Sequence, residues 1–228
     1  TCCNGICGCY RIYVNDAGNQ IEKFGCSLEA RYLQIFKGDE IEFPEDGYQG
    51  EDIKDLAKEY ADLNGDSLVN VSAEERKKAL VDYALPKNIK KMQADMEKYK
   101  IFYDKWFFES ELHKSGAVKA VVDLLTEKGL TYEKDGAVWY KNKEVLTQKL
   151  LKEGKSQKYI DNLELKDDVL IRQNGNPTYF TADIAYHKNK FDRGFTTLID
   201  VWGADHHGHV MRMKGAMDAI GYDGDKLN

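Results

Sequence analysis

The densest cluster of chemically capable side chains is GADHHGH, in which Gly203, Asp205, His206, His207 and His209 fall within a single short run. Carboxylates and imidazoles crowded in this way can ligate a metal, exchange protons or hold a polar ligand by hydrogen bonds. Upstream stands NPTYFTADIAYH, where Tyr179 and Asp183 lie four apart and would share one face of a helix. A third polar group, Asn15, Asp16, Gly18 and Gln20, sits in VNDAGNQ near the start of the chain.

The surrounding pattern says how these groups are positioned. Leu198, Ile199, Val201 and Trp202 form an almost unbroken apolar run, which suits a parallel strand covered on both faces. Val210, Met213, Met217 and Ile220 follow at helical spacing, so the His/Asp cluster is expected at a strand-to-helix turn, where open α/β sheets place ligands. At the other end, YRIYV over residues 10–14 reads as a strand. Asn15 or Asp16 could cap the next helix, which would bury Leu28, Tyr32, Leu33 and Phe36 and end at Gly38.

Ile53, Leu56, Ala57, Tyr60 and Leu63 mark an amphipathic helix closed by Gly65, and Ser72 with Glu75 is a capping box. Pro86 is expected to kink or divide the long helix that follows, whose stripe of Ile89, Met92, Met96 and Tyr99 reads as core. The aromatic run 101–108 is a second strand, and Ser110 starts a helix burying Val118, Val121, Val122 and Leu125, with Gly129 as its C-cap. Asp135-Gly136 predicts a hairpin. A mostly polar segment over 142–168 then leads to a strand at 169–171 and a turn at 174–177. The pattern implies a parallel α/β sheet interrupted by helical and hairpin excursions.

Composition narrows the function classes. Charged residues are 32% and apolar ones 42% of the chain, with no apolar run near the roughly 20 residues of a membrane helix, so a membrane partner is excluded. The formal net charge of −6 requires any nucleic-acid contact to come from a local basic surface. All five cysteines precede residue 27, which is not how a disulfide framework is spread and points to a reducing, cytoplasmic location. The crowded cysteines match no common zinc spacing. Residues 1–9, beginning with Thr, read as an atypical, altered end.

The segments VNDAGNQIEKFG, SLEARYLQ, YDKWFFES, GLTYEKDGAVWY, NPTYFTADIAYH and IDVWGADHHGHVMRMK, in this order, resemble the catalytic domain of bacterial arginyl-tRNA synthetases. The resemblance implies a class I aminoacyl-tRNA ligase with a doubly wound, Rossmann-like parallel sheet, here incomplete. Residues 10–109 would be its first half with a helical excursion at 48–99, residues 110–178 a connective insertion, and residues 179–228 the start of the second half. It also implies ATP and L-arginine as substrates, Mg²⁺ accompanying ATP, the tRNA for arginine as partner, and no protein-bound metal.

By the same resemblance Tyr179, Asp183 and His206 bind arginine, and Gly203, Asp205, His206 and His209 bind ATP. Asn15, Asp16, Gly18 and Gln20 would lie near the aminoacyl site. A forked guanidinium pairs well with a carboxylate such as Asp183. Which of His206 and His207 faces the pocket stays open, and Asp16 could equally be only an N-cap. Two other readings compete: a noncatalytic arginine- or tRNA-binding paralogue, and a metal-dependent hydrolase using Asp205 and the histidines. Against the hydrolase, adjacent His206 and His207 point in different directions and no second cluster completes a site.

The 228 residues contain neither the His-Ile-Gly-His type nor the Lys-Met-Ser-Lys-Ser type signature, so no catalytic residue is assigned. A sheet short of strands would also expose an apolar surface and self-associate. The chemistry of this family rests on positioning and on charge stabilisation at phosphorus. The 228-residue chain by itself is therefore expected to show no arginine-dependent ATP–pyrophosphate exchange, and exchange above background would overturn that expectation.

Overall fold

The computed structural model describes residues 2–3, 6–203 and 207–228. The chain divides into two compact units, Thr1–Ser110 and Glu111–Asn228. Both mix helices with short strands, so the fold is α/β.

In the first unit, β1 (Cys2–Cys3) and β2 (Ile6–Cys7) pair antiparallel. β3 (Arg11–Val14) pairs parallel with β4 (Lys105–Phe108), from Arg11 opposite Lys105 to Val14 opposite Phe108. A parallel pair needs a crossover, and here it consists of α1 (Asn19–Lys37), α2 (Glu51–Asn64) and α3 (Ala73–Lys98). Leu28, Tyr32, Ile53, Ala57, Leu80 and Ala84 form the core between these helices. The Tyr32 hydroxyl donates to the Gly65 carbonyl at 2.8 Å and accepts from the Leu68 amide at 3.1 Å, locking the turn after α2.

The helix stops are where glycine spacing puts them: Gly38 and Gly65 follow α1 and α2 with φ of 75° and 59°. Ser72 caps α3 by accepting from the Glu75 amide. Three expectations need correction. α3 runs unbroken through Pro86, because Pro86 and Asp82, whose carbonyl loses its usual partner, both face solvent and water can serve it. Met92 and Tyr99 are exposed and do not belong to the core. Neither Asn15 nor Asp16 caps α1; the N-cap is Gly18, without a side-chain bond.

In the second unit, α4 (Glu109–Lys114), which begins at the boundary, is separated by Gly116 at φ 74° from α5 (Ala117–Glu127). The single helix expected from Ser110 is therefore two. β5 (Thr131–Lys134), β6 (Ala137–Tyr140) and β7 (Asp168–Ile171) form an antiparallel sheet in that order. Asp135 and Gly136 take φ of 52° and 72°, the left-handed pair of a tight hairpin turn.

The polar segment between β6 and β7 holds two helices that its composition hides, α6 (Asn142–Lys152) and α7 (Gln157–Asp161). α8 (Tyr179–Asp192) and α9 (His207–Ile220) complete the unit, with α5 and α9 both packed against α8. Met213 and Met217 are fully buried on α9, together with Val121, Leu125, Leu146 and Ile184.

The segment 198–202 is not a strand covered on both faces. Leu198 is buried and forms a parallel bridge with Leu227, whereas Ile199 is 75% and Val201 96% exposed. The residues alternate in and out, as extended backbone dictates when only one side has a layer packed on it. Removing the Met213 side chain beyond Cβ leaves a cavity inside the second unit. Met213→Ala is expected to cost about 2–5 kcal/mol in urea-induced unfolding of the chain.

Candidate functional site

The second unit collects a polar network around α8, built from three elements. Thr178 starts the helix, with its hydroxyl donating to the Val169 carbonyl at 2.7 Å and accepting from the Thr181 amide at 3.4 Å. Thr181 donates to the Leu170 carbonyl at 2.8 Å. The first turn of α8 is thereby pinned to β7. Along the helix, Asp183, His187 and Lys190 are buried, an unusual density of ionisable groups that must be paired to be tolerated.

Asp183 is paired with His209. Its Oδ2 lies 2.8 Å from His209 Nε2, while Oδ1 is not used by this contact. On the far side of the ring, Arg212 Nη2 lies 3.1 Å from His209 Nδ1 and Arg212 Nη1 donates to Asp168 Oδ1 at 2.6 Å. The guanidinium carbon stands 5.3 Å from the centroid of the Phe180 ring, a cation–π geometry. Tyr179, Phe180 and Trp202 surround the His209 ring with centroids 6.2, 5.8 and 5.2 Å away. Burial holds the Asp168 carboxyl above its ordinary value although Arg212 pulls it down, and its buried Oδ2 has no hydrogen-bond partner.

A second knot lies one turn along. His187 Nδ1 is 2.8 Å from the Asp183 carbonyl oxygen and Nε2 is 2.8 Å from Asp200 Oδ2. Lys190 donates to the other oxygen of Asp200. Burial alone would raise the Asp200 carboxyl, but His187 and Lys190 outweigh it and take it down to about 2. Asp200 thus fastens the segment before Gly203 onto α8.

Of the residues singled out by sequence, Tyr179, Asp183 and His209 come together around one imidazole, with Tyr179 half exposed and Asp183 buried. Gly203 is exposed, and Asp205 and His206 lie outside the described residues. Among the described residues no group of three or more His, Cys, Asp or Glu could hold a metal ion.

In the first unit, Asp16 accepts from the Ser110 amide at 2.8 Å and from its hydroxyl at 2.6 Å, which ties the end of β3 to the residues after β4. Asn15 and Gln20 line a cleft of about 510 Å³ with Tyr13, Gln49 and Asn88, and Gly18 is exposed. Sequence reasoning passed over Asp168, His187, Asp200 and Arg212. Helical spacing was the available signal, because Arg212 lies three after His209 and His187 four after Asp183.

No family model matches the chain. Arginine–tRNA ligase of Ruminiclostridium cellulolyticum is 54% identical over 217 residues, covering 94% of this chain and 36% of that relative. The ligase of Caldanaerobacter subterraneus is 55% identical over 217 residues, covering 95% and 35%. By sequence, the chain is similar to one part of the arginine–tRNA ligases. It spans about a third of the length of the curated relatives it matches. An arginyl-tRNA synthetase structure from Campylobacter jejuni superposes with a TM-score of 0.77 at 36% identity, over 96% of this chain and 44% of that one. The Thermus thermophilus arginyl-tRNA synthetase shares the fold, with a TM-score of 0.59 at 18% identity, over 95% and 40%.

The Asp200 knot carries a pH signature. The Asp200 carboxyl lies below its ordinary 3.8 in the folded state, so its contribution is present above about pH 4 and is lost as pH falls toward 2. Between those limits the parent should lose about 2 kcal/mol more unfolding free energy than Asp200→Asn, measured by urea titration at each pH.

Proposed function

We propose that the chain is the substrate-recognition part of an arginine–tRNA ligase, in which the Asp183 carboxylate receives the guanidinium of L-arginine. The observation that carries this reading is the state of Asp183: buried on α8 and held through one oxygen by His209, whose ring Tyr179 also faces. A preorganised carboxylate with an oxygen left over suits a charge-assisted contact to a guanidinium, and the Tyr179 hydroxyl can help orient it. Identity above 50% with curated arginine–tRNA ligases supports the same substrate.

The wider activity is inferred with it. ATP would activate the arginine carboxylate and the tRNA for arginine would accept it, with Mg²⁺ arriving on the ATP phosphates. Gly203, Asp205 and His206 are assigned to the nucleotide, and His206 also to arginine. The ring of His209, assigned by resemblance to ATP, is taken here to serve Asp183, since that is its partner at 2.8 Å. For the first unit by itself, Asn15, Asp16, Gly18 and Gln20 are assigned a place near the aminoacyl end, supported by the cleft that Asn15 and Gln20 line.

We read the parallel β3–β4 pair with its helical crossover as part of a doubly wound nucleotide-binding sheet, and residues 110–178 as a connective insertion. Exposed Tyr99, Ile101 and Phe102 support self-association of the 228-residue chain, and among the described residues no helix is long and apolar enough to cross a membrane, which is compatible with a cytoplasmic site of action.

Isothermal titration of L-arginine into the 228-residue chain tests the reading. Binding is expected in the parent and should weaken about 30-fold or more in Asp183→Ala, the equivalent of about 2 kcal/mol. Equal affinities for the two proteins would remove Asp183 from the site.

A further inference from the structure

Arg212 touches neither Asp183 nor, on the reading above, the substrate, yet its position dictates the state of both. A guanidinium has five N–H donors and no acceptor. With Arg212 Nη2 at 3.1 Å from His209 Nδ1, that ring nitrogen must be the acceptor. The ring proton then resides on Nε2, which faces Asp183 Oδ2 at 2.8 Å and donates to it. Arg212 is itself fixed from behind by Asp168 at 2.6 Å and from the side by the Phe180 ring.

We propose that Arg212 is a positioning residue that holds His209 as the neutral Nε2–H tautomer, so that Asp183 keeps its full negative charge for a guanidinium ligand. The alternative state of the ring shows why this matters. Were Nδ1 to take up a proton, the imidazolium would form an ion pair with Asp183 and cancel the charge that an incoming cation needs. An Arg212 guanidinium aimed at Nδ1 opposes that proton in two ways, by occupying the lone pair and by placing a positive charge beside it.

Among the described residues, the groups facing His209 come from several packed elements. Asp183 and Tyr179 face it from α8, Arg212 from α9 and, through Arg212, Asp168 from β7; Trp202 covers it from the segment before Gly203. His187 contacts the Asp183 carbonyl and Asp200, so its own titration must be separated from that of His209.

The inference rests on arginine being the ligand of Asp183, and two measurements separate the two ideas. The first needs no ligand. Long-range ¹H–¹⁵N correlation spectra of the five histidine rings, with His209 assigned through a His209→Gln comparison, report which nitrogen carries hydrogen. The parent and Arg212→Lys, which retains a cationic donor, should show the Nε2–H form of His209 across about pH 5.5–7.5, and Arg212→Met should show the doubly protonated form at the acid end of that range, because the ring then faces the Asp183 carboxylate without the opposing guanidinium charge. A doubly protonated His209 in the parent at the acid end, or an Arg212→Met ring that behaves as the parent's does, overturns the proposal.

The second is arginine titration over the same range. Affinity should fall toward about pH 5.5 in Arg212→Met, and stay level in the parent and in Arg212→Lys, since protonating the ring lowers the competent fraction and the apparent affinity falls with that fraction. A uniform loss at every pH in Arg212→Met would mean a structural role only and would overturn the proposal. Failure of the parent to bind arginine would instead overturn the functional reading, while the ring spectra still decide the tautomer. If Arg212→Met does not fold, Arg212→Gln, which keeps the shape and a neutral donor but loses the charge, takes its place in both measurements. A partial shift toward the doubly protonated ring supports the proposal, and no shift from the parent overturns it.

Discussion

A carboxylate buried as deeply as Asp183 has to be paired, because removing an ionised group from water without compensation costs several kcal/mol. The polar architecture of the second unit follows from that requirement. His209 supplies the pairing donor, Arg212 determines which ring nitrogen does so, and Asp168 and Phe180 hold Arg212. The cost is not wholly removed, since Asp168 keeps one buried oxygen without a partner and its carboxyl stays above the ordinary value. A buried carboxylate oxygen left without a partner in this way lowers stability.

Backbone anchoring gives the network its rigidity. Thr178 and Thr181 attach the first turn of α8 to β7 through carbonyl contacts, and His187 reaches both the Asp183 carbonyl and Asp200. Asp183 is therefore constrained at its side chain and through its own peptide group. The neighbouring segment 198–200 is held by pairing to the last residues of the chain, with the Leu198 amide donating to the Lys226 carbonyl and the Asp200 amide to that of Asn228, each at 2.8 Å. In the first unit the corresponding fastening is Asp16 to Ser110, which spends a polar residue on joining chain segments that are distant in sequence.

Local signals were legible where one residue type has few conformational options. Gly38 and Gly65 end helices at positive φ, Asp135 and Gly136 form the tight hairpin, and Ser72 caps α3, each a matter of backbone sterics or one nearby hydrogen bond. Signals failed where burial had to be inferred. Leu146, Leu150 and Ile160 are buried by neighbours, though polar residues outnumber apolar ones in their helices. Pro86 is tolerated because its surroundings are solvated, and Ile199 and Val201 are apolar yet exposed.

The sequence by itself determined the residue types, their helical spacing and the family resemblance, because these depend on covalent order and on contacts a turn or two away. It was enough to bring Tyr179 and Asp183 to notice and to put His209 in a ligand-dense loop. Only the tertiary structure decided that His209 meets Asp183 across 26 residues, that Asp168 reaches Arg212 across 44, and that Asp16 bonds Ser110 where it could have capped a helix. Such pairings depend on how separate elements pack, and an amino-acid sequence gives the same histidine, arginine or aspartate several partners that are chemically equivalent until packing leaves one of them within hydrogen-bonding distance.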